Sequence, residues 1–232
     1  MDKNPHKGHR KRLIHELLEQ DFPDSMPSHK VLEALLFYGI PQKDTNDMAH
    51  TLLEKFGSLN GVFEADPNSL FEVKGMTERA VTLIKMILPL SRRIHAEEYK
   101  KHYRFKSIDE YGNYLTNCFM GYNNEVFMIS SFDNKGELIE NDIISDGHTA
   151  SVSLSVKKIV KKVLPRNPTS VIISHNHVGQ SAVPSFADIQ MTQSLKYTLE
   201  QIEIKLVDHI IVSGNDYVSL AQSSEYNQIF AT

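Results

Sequence analysis

The chain has 232 residues, 41% hydrophobic and 23% charged, with a formal net charge of −4. That leaves room for one large domain or two small ones with cores of their own, and argues against a generic polyanion binder. One cysteine, Cys118, excludes an intramolecular disulfide and any multi-cysteine zinc site, no apolar run reaches the roughly 18 residues of a membrane helix, and the charged start MDKNPHKGHRKR leads into no signal-peptide core. The expectation is a soluble, reduced, cytoplasmic protein without membrane association, in which any metal sits on histidine and carboxylate.

Residues 1–104 carry 16 Lys+Arg against 15 Asp+Glu, and residues 105–232 carry 9 against 14, so the second part is the acidic one. The first part reads as an all-α module of short helices. Arg10–Gln20 puts Leu13, Leu17 and Leu18 on one stripe, and Ser28 caps a predicted helix over Lys30–Tyr38, where Val31, Leu32, Leu35 and Leu36 recur at helical spacing. Thr45 caps the next helix, which runs to Gly57. Pro67 opens a short one over Leu70–Val73, and Thr77 to about Arg93 follows with Ala80, Leu83, Ile84 and Ile87 inward. Leu70–Ile87 is similar to a helix-hairpin-helix, whose glycines let helix-end amides approach a phosphate. Only Gly75 is present, however, and Thr77 stands where a second glycine is expected, so a packing module is the stronger reading. The basic start, His6-Lys7-Gly8-His9-Arg10-Lys11-Arg12, is either a weak DNA-contacting arm or a solvated terminus. The polar stretch Ala96–Lys106 is the best boundary, giving a helical module over 1–104 and a second domain over 105–232.

That second domain alternates strand and helix patterns, which predicts an α/β domain with a mixed sheet. Glu125–Ser131 and Glu137–Ile144 flank the turn Asp133-Asn134-Lys135-Gly136 as a hairpin. Ser151–Leu164 is an amphipathic helix with Lys157, Lys158, Lys161 and Lys162 on its solvated face. Val171-Ile172-Ile173 is a buried strand, Ser185–Leu199 a helix, Ile204–Val212 a strand and Tyr217–Leu220 a short last strand. Cys118 reads as a core residue.

The chemistry lies in Ser174–Asp188, SHNHVGQSAVPSFAD. His175 and His177 are two apart at a strand end and project to one face, while Asn176 points the other way. Pro184-Ser185 starts a helix and places Asp188 in its first turn. Two imidazoles and a carboxylate leave a fourth tetrahedral position open, the arrangement of a catalytic zinc site. Glu125, at the head of the first strand, is the candidate acid/base, and Ser185 could donate to a developing oxyanion. Ser185-x-x-Asp188 is equally a capping box, with the carboxylate three residues into the helix.

His-x-His, ten residues, Asp, with Ser three before the Asp and Glu upstream, resembles the JAMM motif of JAB/MPN metalloproteases. The version here, His175-Asn176-His177…Pro184-Ser185…Asp188 and then Leu206-Val207-Asp208-His209-Ile210-Ile211, looks like the RadC family over about 105–225. Leu32–Leu36, Leu52–Leu59 and Leu70–Gly75 match the helical N-terminal region of RadC-like proteins in kind and order. The resemblance implies a three-layer JAB/MPN fold similar to that of cytidine deaminases. It implies Zn2+ on His175, His177 and Asp188, Glu125 as general acid/base, Ser185 as stabiliser, and hydrolysis of an amide or isopeptide bond in a peptide or protein substrate. The alternative is a DNA-binding or DNA-repair factor whose metal domain is a nuclease or an inactive scaffold. The sequence departs from the family pattern at Val178-Gly179-Gln180, at Val156-Lys157 and at Gly147-His148, where RadC-like sequences read Pro-Ser-Gly, Pro-Arg and Gly-Thr. His148 reads as a surface-loop imidazole, and His209 as structural or supporting.

Overall fold

The structure, a computed structural model, describes residues 8–19, 25–41, 43–99, 103–145 and 156–231. His6 and Lys7 of the basic start, His148, and residues 151–155 of the helix expected from Ser151 lie outside the described residues. The chain divides into two compact units, Met1–Ser91 and Arg92–Thr232.

The first unit holds α1 (His9–Glu19), α2 (Ser28–Gly39), α3 (Asn46–Phe56), α4 (Leu59–Glu64), α5 (Pro67–Phe71) and the start of α6 (Glu78–Glu98). Leu32, Leu36, Leu52, Val62, Leu70 and Ile84 form its core. Leu13 and Leu17 pack on Ala34 and Phe37, but Leu18 is 70% exposed, because five helical residues from Leu13 turn it off the stripe. Two expected caps work differently. Ser28 is the first residue of α2 behind Pro27 and makes no cap bond, and the Thr45 hydroxyl donates to the buried Glu33 carbonyl rather than capping α3. Helix α4 has no counterpart among the elements expected from the sequence. It is six residues long, too short to show a period, and is started by Ser58, whose hydroxyl accepts from the Gly61 N–H.

Arg10 belongs to the scaffold of this unit. Its two terminal nitrogens donate to the carbonyls of Phe37, Ile40, Pro41 and Lys43 and so satisfy the end of α2, with the guanidinium stacked over Phe37. At the hairpin, Gly75 takes φ +88°, and the Thr77 hydroxyl accepts from the Ala80 N–H while donating to Gly39 O. The threonine thus spends its side chain on the start of α6 and on α2. Gly39 lies so close to α6 that a Cβ there would come within 2.5 Å of Ala80 Cα.

The second unit continues with α7 (Ile108–Phe119), β1 (Phe127–Phe132), β2 (Leu138–Ser145), α8 (Val156–Val163), β3 (Ser170–Asn176), α9 (Phe186–Glu200), β4 (Lys205–Ser213) and β5 (Asp216–Ser219). The five strands are ordered β2-β1-β3-β4-β5, and only β3 and β4 run parallel. A parallel pair needs a crossover, and α9 supplies it. Helices α8 and α9 bury Ile159, Val163, Leu195 and Leu199 against Phe127, Ile129, Val171 and Ile173. On the opposite face α7 packs Tyr111, Tyr114, Leu115 and Phe119 on Met128, Ile172, Ile210 and Val212. The result is the three-layer α/β arrangement expected of a JAB/MPN-type domain. Lys157, Lys158, Lys161 and Lys162 are exposed along α8, Lys162 reaching Asp142 at 3.6 Å. Among the described residues, no helix is long and apolar enough to cross a membrane.

Strand β4 is interrupted by one irregularity. Val171 pairs with Leu206 but Ile172 pairs with Asp208, so Val207 is an extra residue. Beyond this bulge the side chains of β4 change faces. Leu206 and His209, three apart, therefore both face α9, as Val171 and Ile173 do.

Candidate metal centre

Strand β3 ends at Asn176, and the His177 N–H extends the ladder by one bond to Val212 O, 2.8 Å. His175 and His177 thus share the α9 face of the sheet. Ser185 is the N-cap of α9 and Asp188 its third residue, and a complete capping box joins them. The Ser185 N–H and hydroxyl both donate to Asp188 Oδ2, at 2.7 and 2.6 Å, and the Asp188 N–H donates back to Ser185 Oγ. The helix cap and the metal-ligand reading of Asp188 hold together, since the cap uses Oδ2 chiefly and leaves Oδ1 turned to His175.

The candidate donor atoms of the three side chains converge, with both Asp188 oxygens taking part. His175 Nε2 lies 3.0 Å from His177 Nε2 and 3.3 Å from Asp188 Oδ1, and His177 Nε2 lies 3.7 Å from Asp188 Oδ2. Donor atoms about 2.0–2.1 Å from a tetrahedral zinc stand roughly 3.3–3.4 Å apart, so the spacing fits such an ion. His177 Nδ1 donates to Ser181 O at 2.9 Å, a contact that orients its Nε2 toward His175 and Asp188. The same loop is tied by Ser213, whose hydroxyl donates to Gln180 O. Burial, with Asp188 opposing and His177 adding to it, pulls His175 down to about 4, so at neutral pH its imidazole is uncharged. Two imidazoles and a carboxylate share this space, a donor set that could hold a divalent cation. It is also the one such group among the described residues.

Glu125 is exposed and lies two residues before β1 rather than at its first position. The displacement has a cause in Asn176. Its Oδ1 accepts from the Val126 N–H at 2.6 Å, and its Nδ2 donates to Asn124 O at 3.0 Å. The Asn176 N–H still donates to Val126 O at 3.4 Å, and the Asn176 side chain adds a clamp on both sides of Glu125. Phe127 pairs with His175, so continuing that register sets Glu125 across from His177. The structure therefore brings His175, His177, Asp188 and Ser185 into direct contact and carries the Glu125 backbone alongside them.

Three further participants are missed by sequence reasoning or given no partner in it. Asn176 is expected there only to point away. His209 is fully buried, its Nε2 2.9 Å from His175 Nδ1, and its Nδ1 2.6 Å from Thr192 Oγ1. Thr192, also fully buried, donates to Asp188 O at 2.6 Å. Burial first, then the neighbouring imidazoles, holds His209 well below its ordinary value. Thr192 follows Asp188 by four residues, a helical spacing that could have flagged it. His209 is read from the sequence as structural or supporting, and only the strand register shows that it stands behind His175. Next to it, Asp208 turns to the opposite face, where Ser219 Oγ and the N–H groups of His209 and Ala221 donate to it.

The RadC-like JAB domain family matches residues 105–226, just over half of the chain. A UPF0758 protein of Fusobacterium nucleatum is 31% identical over 230 residues, spanning 96% of this chain and 98% of the relative. UPF0758 proteins of Cupriavidus taiwanensis and a Polaromonas species are 32% and 30% identical, over 84% and 86% of this chain. With its helical N-terminal region, its three-layer domain and its His-His-Asp group, the chain belongs to the RadC family.

Proposed function

We propose that this protein is a zinc-dependent metallopeptidase or isopeptidase whose zinc is held by His175, His177 and Asp188 and whose substrate is a peptide or protein. The observation that carries the reading is the convergence of the two imidazole Nε2 atoms and the Asp188 carboxylate beside the segment that bears Glu125. Zinc bound there would supply Lewis acidity and a water acidified to near neutral pH. Glu125 takes a proton from the attacking water and returns it to the departing amine, a task that suits an exposed carboxylate on a clamped backbone. Ser185 keeps the Asp188 carboxylate in place. Because its hydroxyl has one proton, donation to a developing oxyanion would exchange for the bond to Asp188 Oδ2. A nucleic-acid role for the first unit draws little support from Arg10 and Thr77, whose side chains are engaged within the unit.

The test pairs metal analysis with turnover. Wild type should hold about one zinc per chain and release an amine from a peptide or isopeptide library. Glu125→Gln should keep the zinc and lose the hydrolysis, while His175→Ala/His177→Ala should lose both. Equal zinc in wild type and the double-alanine variant would refute the site, and full turnover by Glu125→Gln would refute the role of the carboxylate.

A further inference from the structure

We infer that His209 and Thr192 form a one-way hydrogen-bond chain that fixes the tautomer of His175 and ties that ligand to the backbone of Asp188. The inference rests on the proposed metal site and assigns both as positioning residues.

The direction follows from the far end of the chain. Asp188 O is a backbone carbonyl and can only accept, so at 2.6 Å the proton between it and Thr192 Oγ1 belongs to the threonine. With its proton spent, Thr192 Oγ1 must accept at its 2.6 Å contact with His209 Nδ1, which is therefore the protonated nitrogen of that ring. A neutral imidazole carries one N–H, so His209 Nε2 is an acceptor, and the proton in its 2.9 Å contact with His175 lies on His175 Nδ1. His175 Nε2 is then left with its lone pair toward His177 and Asp188. The reverse order would leave Thr192 Oγ1 and Asp188 O 2.6 Å apart with no hydrogen between them. The His175–His209 and His209–Thr192 links are buried, and His209 and Thr192 are wholly inaccessible.

Three elements meet in this chain: β3 through His175, β4 through His209 and α9 through Thr192. The chain begins on one ligand and ends on the main chain of another, so His175 and Asp188 are coupled by a route other than their direct 3.3 Å approach. The bulge at Val207 is what turns His209 toward this face. Because the chain ends on a carbonyl, it has no exit for a proton. It is a fixed brace that preorganises a ligand, and such supporting partners typically govern metal affinity by roughly 10–100-fold.

Long-range proton–nitrogen NMR on the metal-free protein at neutral pH should find the proton on Nδ1 in both His175 and His209. A proton on His175 Nε2 would overturn the inference. Chelator competition with zinc should show Thr192→Val weakened by roughly 10–100-fold, with Thr192→Ser restoring affinity through the retained hydroxyl. A valine variant that folds and binds zinc like wild type would overturn it as well. Wild type that takes up no zinc would sink the metal reading, while the NMR result on the same sample would independently support or overturn the chain.

Discussion

Asn176→Ala removes the amide that clamps the backbone on both sides of Glu125. Val126 is fully buried, and its N–H donates to Asn176 Oδ1 at 2.6 Å, so the alanine leaves a buried donor without a partner. That costs about 1–3 kcal/mol, and loss of the bond to Asn124 O adds roughly 0.5–1.5 kcal/mol, for a total of about 1.5–4.5 kcal/mol. Eight of the nine tyrosines follow residue 91, so tyrosine fluorescence in a urea titration reports mainly on the second unit. Zinc affinity should stay within a few-fold of wild type, because His175 and His177 keep their main-chain bonds to β1 and β4. Turnover should fall steeply as Glu125 loses its anchored backbone. Asn176→Asp retains the acceptor for Val126 and loses the donor to Asn124, so it should be intermediate in stability. An alanine variant as stable as wild type would refute the clamp, and one that is unstable yet turns over at the wild-type rate would refute its link to Glu125.

Arg10→Ala should destabilise the first unit by about 1.5–3 kcal/mol, as expected for loss of charged hydrogen bonds, and leave the salt slope of any DNA binding unchanged; circular dichroism melts and salt-dependent binding titrations check the two halves. Gly112→Ala would place a Cβ 2.4–2.5 Å from the Tyr217 ring, and denaturation should show a loss of about 1–3 kcal/mol, partly relieved by Tyr217→Leu. Burial pushes Asp208 up to about 6 in the folded state against 3.8 for the free group. The fold therefore favours its protonated form, and this contribution is full below the lower value and lost as pH rises through about 6. Asp208→Asn should flatten that fall in stability between about pH 4 and 6, measured by denaturant titration at a series of pH values.

The parts legible in the sequence are those that local rules decide. The start of α9 is carried by Pro184-Ser185 and the pairing of Ser185 with Asp188, and the His175/His177 pair by strand alternation, both needing only a few neighbouring residues. His209 is not placed by such rules, because strand alternation counted from Leu206 puts it on the α7 face, and only the extra residue Val207 brings it round to α9. Whether a strand bulges depends on its partners, which the alternation does not contain. Glu125 falls outside β1 for a related reason, since a side chain 50 residues from Val126 takes the N–H that the ladder would have used. Helix α4 escapes because six residues give no measurable helical period. Leu18 shows the converse, a leucine that fits the composition of the stripe but not its angle.

The crossover between β3 and β4 has a consequence for how the centre comes into being. His175, His177, Asp188, Thr192 and His209 all lie in one β-α-β segment whose ends, His175 and His209, are 34 residues apart in the chain. The candidate metal set and its brace therefore lie within one segment, which closes at modest loop entropy. Glu125 joins from the approach to β1, tethered by way of Val126 to a β3 residue 50 positions further along the chain. On the proposed function, ion capture and proton transfer would thus be assembled by different closures of the chain, so lesions in β1 should abolish turnover while the ion stays bound.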